Sequence, residues 1–199
     1  MYDHYEALIF DMDGTLVDSG QLHEFAWKSM LNKYGVPIDR LLMRSLAGVP
    51  TKGTIEILLE NFNLKIDASL DEMNAFKEQV VHENMHKYVK PTALLEVAQK
   101  YHGIKPMAVG TGAYTLEAET ILKLCGLDKY ISVVVGADQV KNPKPAPDTF
   151  LRCAELLGVD PKRCVVFEDS KLGLQAAASA GMAGIDVLLV HAIENDYFL

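Results

Sequence analysis

The hydrophobic rhythm of the chain changes twice. Ala7-Leu8-Ile9-Phe10 is an unbroken apolar run, the pattern of a short strand buried on both faces. After it, Leu22, Phe25, Ala26, Met30 and Leu31 recur at helical spacing behind a cap at Asp18 or Ser19, and Gly35 and Pro37 end that helix. Helical patterns continue near 40–46, 51–61 and 69–86 without a strand among them. Beyond Pro91 strand and helix alternate: apolar runs at 106–109, 131–135, 164–167 and 184–190 are separated by helical patterns near 92–101, 114–125, 148–157 and 172–180. Such alternation predicts an α/β fold, a doubly wound parallel sheet with helices on both faces. The expected division is a core of residues 1–17 and 89–199 with an all-helical insertion at 18–88. Because the insertion leaves from and returns to the end of the first strand, it is expected to lie over that end as a mobile cap. Residues 182–199 are expected to finish the sheet and then fray.

Composition fits a globular protein of this plan: 199 residues, 49% hydrophobic, with a formal net charge of −8. The acidic balance disfavours nucleic acid, whose partners carry a basic face to displace counterions from phosphates. No stretch reads as a membrane span, and Met1-Tyr-Asp-His-Tyr-Glu6 lacks the basic and then apolar character of a signal peptide. A cytoplasmic monomer with no membrane partner is the expectation. Cys125, Cys153 and Cys164 are odd in number and widely spaced, which argues against disulfides and structural zinc and for buried small hydrophobes.

In open parallel sheets ligands bind beyond the carboxyl ends of the strands, and each of those ends carries candidate chemistry here. Asp11 and Asp13 follow the first strand. Alternation along an extended chain would send both carboxylates to one side and Met12 to the other. Two carboxylates so close repel, and a divalent cation is the simplest resolution. Gly14 permits a sharp turn, and Thr15 offers a hydroxyl to whatever occupies the site. A calcium loop counted from Asp11 would need Glu at its twelfth position, where Leu22 stands. The 106–109 run leads into Gly110-Thr111-Gly112, where a hydroxyl and following amides could hold a phosphate at a helix N-terminus. The 131–135 run leads to Lys144, flanked by Pro143 and Pro145 with Pro147 beyond, which suits a cation held in one direction. Glu168 and Asp169 end the 164–167 run. Together these strand ends supply a nucleophile, an acid, a hydroxyl, a cation and hard oxygen ligands for a metal.

Asp11-Met-Asp13-Gly-Thr-Leu, Thr111, Lys144 within Lys-Pro-Ala-Pro-Asp, and Glu168-Asp169-Ser-x-x-Gly resemble, in order and spacing, the four motifs of the haloacid dehalogenase superfamily. The insertion is similar to the small helical cap of its beta-phosphoglucomutase branch. The opening segment, Pro-Met-Ala-Val-Gly-Thr-Gly and the run from Lys144 to Ala154 look like the bacterial fructose-1-phosphate phosphatases that also accept 6-phosphogluconate. The resemblance implies a magnesium-dependent phosphatase of small sugar phosphates in which Asp11 is the nucleophile and Asp13 the general acid and base. It also implies that Thr111, Gly112 and Lys144 hold the phosphoryl group, and that Mg2+ lies among Asp11, the Asp13 carbonyl, Asp169 and, through water, Glu168. On the cap it points to His23 and to the run Gly48-Val-Pro-Thr51-Lys52 as substrate-facing. A phosphosugar mutase is the alternative; that branch carries a cap arginine which this run lacks, with Lys52 as its only substitute.

Two rival patterns are present. His82-Glu-Asn-Met-His86 is a literal zinc-protease signature, but no third ligand follows it, and a place on the last cap helix is the expectation. A phosphoryl-accepting receiver module would share the acids, the Thr and the Lys. It would not carry Asp13 or the insertion.

Overall fold

The computed structural model describes residues 1–194, 197 and 198. It resolves into two compact units. The first contains Met1–Asp18 and, from Val89, the described chain to residue 194; the second contains Ser19–Tyr88 with Tyr197 and Phe198.

The first unit is built on a parallel five-stranded sheet. Its strands are β1 (Ala7–Phe10), β4 (Met107–Gly110), β5 (Val133–Val135), β6 (Cys164–Glu168) and β7 (Ala183–Asp186), in the order β5-β4-β1-β6-β7. All four residues of β1 are fully buried, which explains why that strand reads as a continuous apolar run: it is covered on both faces and paired on both edges. Among the described residues the α-helices that accompany the sheet are α5 (Leu94–Tyr101), α6 (Thr115–Leu124), α7 (Asp148–Leu157), α8 (Lys171–Ser179) and the short α9 (Val187–Val190). Buried Phe150, Cys153 and Ala154 of α7 and Ala176 and Ala177 of α8 pack on Ala7, Ile9, Ala108 and Val166. The side chains between them in sequence point to the opposite face, where Phe10 stacks on Phe167 with centroids 4.8 Å apart and Tyr2 meets Phe167 edge-on at 4.7 Å.

Register places the candidate chemistry on one edge. Phe10 pairs with Val109 of β4 and with Phe167 of β6. The next residues outward are therefore Asp11, Gly110 and Glu168, and the Asp11 amide donates to the Phe167 carbonyl at 2.9 Å. A two-stranded antiparallel ribbon, β2 (Val17–Asp18) with β3 (Lys90–Pro91), joins the chain where it leaves for the helical segment to the chain where it returns. Thr92 reinforces the join, its hydroxyl donating to the Thr15 carbonyl at 2.6 Å. Strands of two residues carry no hydrophobic period, so this ribbon was not foreseeable from the pattern.

The second unit comprises α1 (Gly20–Tyr34), α2 (Arg40–Ser45), α3 (Thr51–Asn61) and α4 (Leu70–Tyr88). Gly35 ends α1 in the left-handed conformation at φ 68°, which costs glycine little. Ser69 and Glu72 form a reciprocal capping box at the start of α4. The core of this unit is Trp27, Met30, Leu31, Met43, Ile55, Leu58 and Met73, with Phe198 among them.

Two expectations about the last stretch need correcting. The apolar run at 184–190 is not one strand, because Asp186 accepts hydrogen bonds from the amides of Leu188 and Leu189 and turns the chain into α9. Nor does the end simply fray: Phe198 is 2% exposed and its amide donates to Glu24 at 2.8 Å. Burying its ring offsets the entropy of ordering the segment. Any fraying at residues 195, 196 and 199 lies outside the described residues. Among the cysteines, Cys153 and Cys164 are buried but Cys125 is only half-buried.

Candidate active site

Four loops meet at the carboxyl edge of the sheet. The first follows β1, and here the chain differs from the sequence reading: β1 stops at Phe10, and Met12 accepts from the amides of Thr15 and Val17 at 3.2 and 2.9 Å. Asp11, Met12 and Asp13 therefore lie in a turn, and strand alternation does not set their directions. Met12 is fully buried, Asp11 is 7% exposed and Asp13 half-buried. Gly14 takes φ 77° in this turn, a conformation that glycine adopts without strain.

Lys144 ties the loops together. Its Nζ donates to Asp11 Oδ1 at 2.6 Å and to Glu168 Oε2 at 2.8 Å, with the three side chains only 12%, 10% and 1% exposed. It also lies 4.6 Å from the centre of the Phe150 ring, an added attraction for a desolvated cation. Burial by itself would lower the Lys144 pKa, but the Asp11 and Glu168 carboxylates outweigh it and raise the pKa above its ordinary value. Lys144 thus stays charged. Asp11 shows the converse: burial first, then the Glu168 and Asp169 carboxylates, raise its carboxyl well above the ordinary value against the pull of Lys144. One cation does not balance three acids.

That imbalance is what a second cation would relieve. Asp11, Glu168 and Asp169 each offer a carboxylate oxygen, and these atoms lie within 4.8 Å of one another. Hard carboxylate oxygens so grouped suit a small divalent ion such as Mg2+. Asp13 is outside this carboxylate group among the described residues. The Thr15 hydroxyl does not await an occupant but donates to Asp169 Oδ1 at 3.2 Å. Ser170, which the sequence reading quoted in the fourth motif but gave no role, donates its hydroxyl to Glu168 Oε1 at 2.8 Å. A serine directly ahead of a helical pattern was the signal for an N-cap there.

In the loop after β4, Thr111 is 1% exposed, its amide donates to the Val135 carbonyl at 3.0 Å and its hydroxyl accepts from the Ala113 amide at 3.1 Å. Gly112 is exposed, with nothing within 4 Å of where a Cβ would stand. The N-terminus of α6 beyond it is capped from the loop after β5: Asp138 accepts from both the amide and the hydroxyl of Thr115, each at 2.8 Å. The remaining candidates lie in the helical unit. His23 is half-buried on α1, Gly48 is exposed at φ 85°, Thr51 begins α3, and Lys52 pairs with Asp71 at 2.5 Å. His82, Glu83 and His86 are exposed on α4, and among the described residues no group of three possible metal ligands includes them.

A buried carboxylate edge with its own cation and acidic cluster fits a class that sequence comparison also finds. The family model for haloacid dehalogenase-like hydrolases matches residues 5–181, and the chain belongs to that family. It is an enzyme, a phosphoric monoester hydrolase. It is 43% identical over 190 residues to the fructose-1-phosphate phosphatase YqaB of Escherichia coli, covering 96% of this chain and 100% of that one. To the phosphorylated carbohydrates phosphatase of Thermotoga maritima it is 37% identical over 201 residues, covering 96% and 88%. Among solved structures, beta-phosphoglucomutase from Clostridium difficile matches with a TM-score of 0.79 at 26% identity, covering 90% of this chain and 83% of that one.

Proposed function

We propose that this enzyme is a magnesium-dependent, cytoplasmic, monomeric phosphatase of small sugar phosphates, acting on fructose 1-phosphate and also on 6-phosphogluconate, through an aspartyl phosphate on Asp11. The observation that carries the reading is the buried Asp11–Lys144–Glu168 network beside Asp169. It presents a carboxylate nucleophile next to a fixed positive charge, the arrangement needed to bring two anions together. The likeness to the Escherichia coli phosphatase along its whole length supports the substrate class.

In this mechanism Asp11 attacks the phosphorus in line with the sugar oxygen, forming the acyl phosphate as the ester bond breaks. Asp13 gives its proton to the departing alkoxide. The same carboxylate then takes a proton from the water that cleaves the acyl phosphate, restoring Asp11 and releasing inorganic phosphate. Lys144 neutralises charge on the transferring group. The Thr111 hydroxyl, already an acceptor for Ala113, has its own hydrogen left to donate to a phosphoryl oxygen. Asp11, Asp169 and Glu168, with the Asp13 carbonyl, would hold Mg2+, which supplies charge neutralisation at the phosphoryl oxygens. His23, Gly48, Thr51 and Lys52 are assigned to substrate selection. The mutase alternative would need Lys52 to hold a second phosphate in exchange for its exposed pairing with Asp71.

The test is release of inorganic phosphate from a panel of sugar phosphates, with and without Mg2+, by wild type and Asp11→Asn. Magnesium-dependent turnover of fructose 1-phosphate that is lost in the variant supports the reading. Conversion of beta-glucose 1-phosphate to the 6-phosphate without phosphate release overturns it in favour of the mutase.

A further inference from the structure

Glu168 is the most enclosed charged group of the site, and its carboxylate is saturated. Oε1 accepts from the Asp169 amide at 3.1 Å, the Ser170 amide at 3.0 Å and the Ser170 hydroxyl at 2.8 Å, while Oε2 accepts from Lys144 at 2.8 Å. What makes room for it is a missing side chain. Gly173 sits in the first turn of α8, and a Cβ there would stand 1.8 Å from Glu168 Oε2, 2.0 Å from its Cδ and 2.5 Å from its Cγ. Those distances are far inside van der Waals contact, and the obstructing atoms are not a free chain end, because four donors hold that carboxylate.

The glycine is not there for its backbone. Gly173 is absent from the positive-φ glycines and lies within a regular helix, where glycine is the poorest choice short of proline. The space explains it. Ser170 completes the seat, since its hydroxyl donates to Glu168 and also accepts from the Gly173 amide at 3.0 Å as the N-cap of α8. The start of the helix and the position of the carboxylate are one construction.

We propose that Gly173 is a positioning residue of the active site: it is the seat of the Glu168 carboxylate, which in turn holds Lys144 against Asp11. This rests on the reading of Lys144 and Asp11 as the phosphoryl-transfer pair. Gly173 touches no reacting atom in this account. It acts by leaving Glu168 the only place from which the acid reaches Lys144 while keeping its three donors.

The experiment compares wild type, Gly173→Ala, Glu168→Asp and the double variant for kcat and KM with fructose 1-phosphate, for thermal unfolding, and for the amide resonances of Asp169 and Ser170. Gly173→Ala should lower kcat by about a hundredfold, the scale of a small misplacement of reacting groups, with KM changed less than kcat and cooperative unfolding retained. The Asp169 and Ser170 amide signals should move, because their shared acceptor is displaced. In the double variant the shorter acid no longer meets the added methyl, so its kcat should be no lower than that of the worse single variant. Gly184→Ala is the control: its Cβ would approach only Leu174 at 3.2 Å and Ala177 at 3.7 Å, within β7. Its kcat should stay within about twofold of wild type, in keeping with a site it does not touch. Additive losses in the double variant, or a Gly173→Ala enzyme with unchanged kcat and unmoved amides, overturn the proposal. If wild type releases no phosphate from fructose 1-phosphate but the amides still move in Gly173→Ala and not in Gly184→Ala, the seat stands and the sugar-phosphatase reading falls.

Discussion

Charged groups are held in opposite ways at the sheet edge and in the helical unit. The side chains of Lys144, Asp11 and Glu168 are 12%, 10% and 1% exposed and share one network, whereas those of Lys52 and Asp71 are 54% and 81% exposed and pair at 2.5 Å. A buried network fixes positions because every member has nowhere else to put its charge. An exposed pair can exchange its partner for water or a ligand at little cost. The first arrangement suits bond making, which punishes small displacements. The second suits recognition of varied substrates. The contrast predicts that changes at the edge alter kcat and stability, while changes in the helical unit alter KM.

The largest effect is expected at Asp11. On the proposed mechanism, in which Asp11 is the nucleophile, Asp11→Asn should cut turnover by a factor on the order of 10⁴ or more. Its stability should move the other way. Because burial and the neighbouring acids raise the Asp11 pKa in the folded state above its ordinary 3.8, folding favours the protonated form. That contribution is complete below pH 3.8 and is lost as pH rises through the folded-state value. In the chelated protein, the difference in unfolding temperature between Asp11→Asn and wild type should therefore widen in the variant's favour as pH rises from about 4. A difference that does not change with pH would break the comparison.

Next in size is Lys144→Met. Removing the cation leaves Asp11, Glu168 and Asp169 facing one another, so a loss of about 3–5 kcal/mol is expected, the scale for breaking a buried ion pair. Urea unfolding in EDTA measures it. Mg2+ should recover part of this loss. For wild type, Mg2+ at roughly 100 times its Kd should add about 2.7 kcal/mol, and Asp169→Asn should reduce that gain while leaving the chelated protein folded. An equal gain from Mg2+ in both proteins would place the ion away from this cluster.

Much of the edge was legible because its physics is local. The apolar run at Ala7–Phe10 reads as a covered strand with its acids just beyond it, while the register that brings Asp11, Gly110 and Glu168 abreast is set by the pairing of β1 with β4 and β6. What was not legible depends on bonds between loops. Strand alternation could not foresee that the chain turns at Met12, that the Thr15 hydroxyl serves Asp169, or that Phe150 lies under Lys144. Gly173 is the sharpest case. In sequence it closes the Glu168-Asp169-Ser-x-x-Gly motif near the start of a helix, and only the position of Glu168 shows what it does there. The helices of the insertion were legible from their period, but the placement of Phe198 among them was not. A ring far along the chain from its neighbours leaves no periodic trace.

The smallest effect is expected where the comparison is most exposed to failure. Lys52→Ala removes one half of a solvent-facing pair, so stability should change by no more than about 1 kcal/mol, read by the same urea unfolding. Asp71→Asn should match it. If Lys52 takes part in substrate selection, the two variants part company in kinetics. Loss of the cation should raise KM for a sugar phosphate several-fold at constant kcat, the signature of lost uniform binding. Loss of Asp71 removes an acid from beside the same cation and should leave KM equal or lower. Raising salt should shrink both effects, because exposed charges are screened over about 8 Å at physiological ionic strength. If instead Lys52→Ala lowers kcat as Gly173→Ala is expected to, the helical unit takes part in the chemical step, and the division of labour drawn from burial alone is wrong.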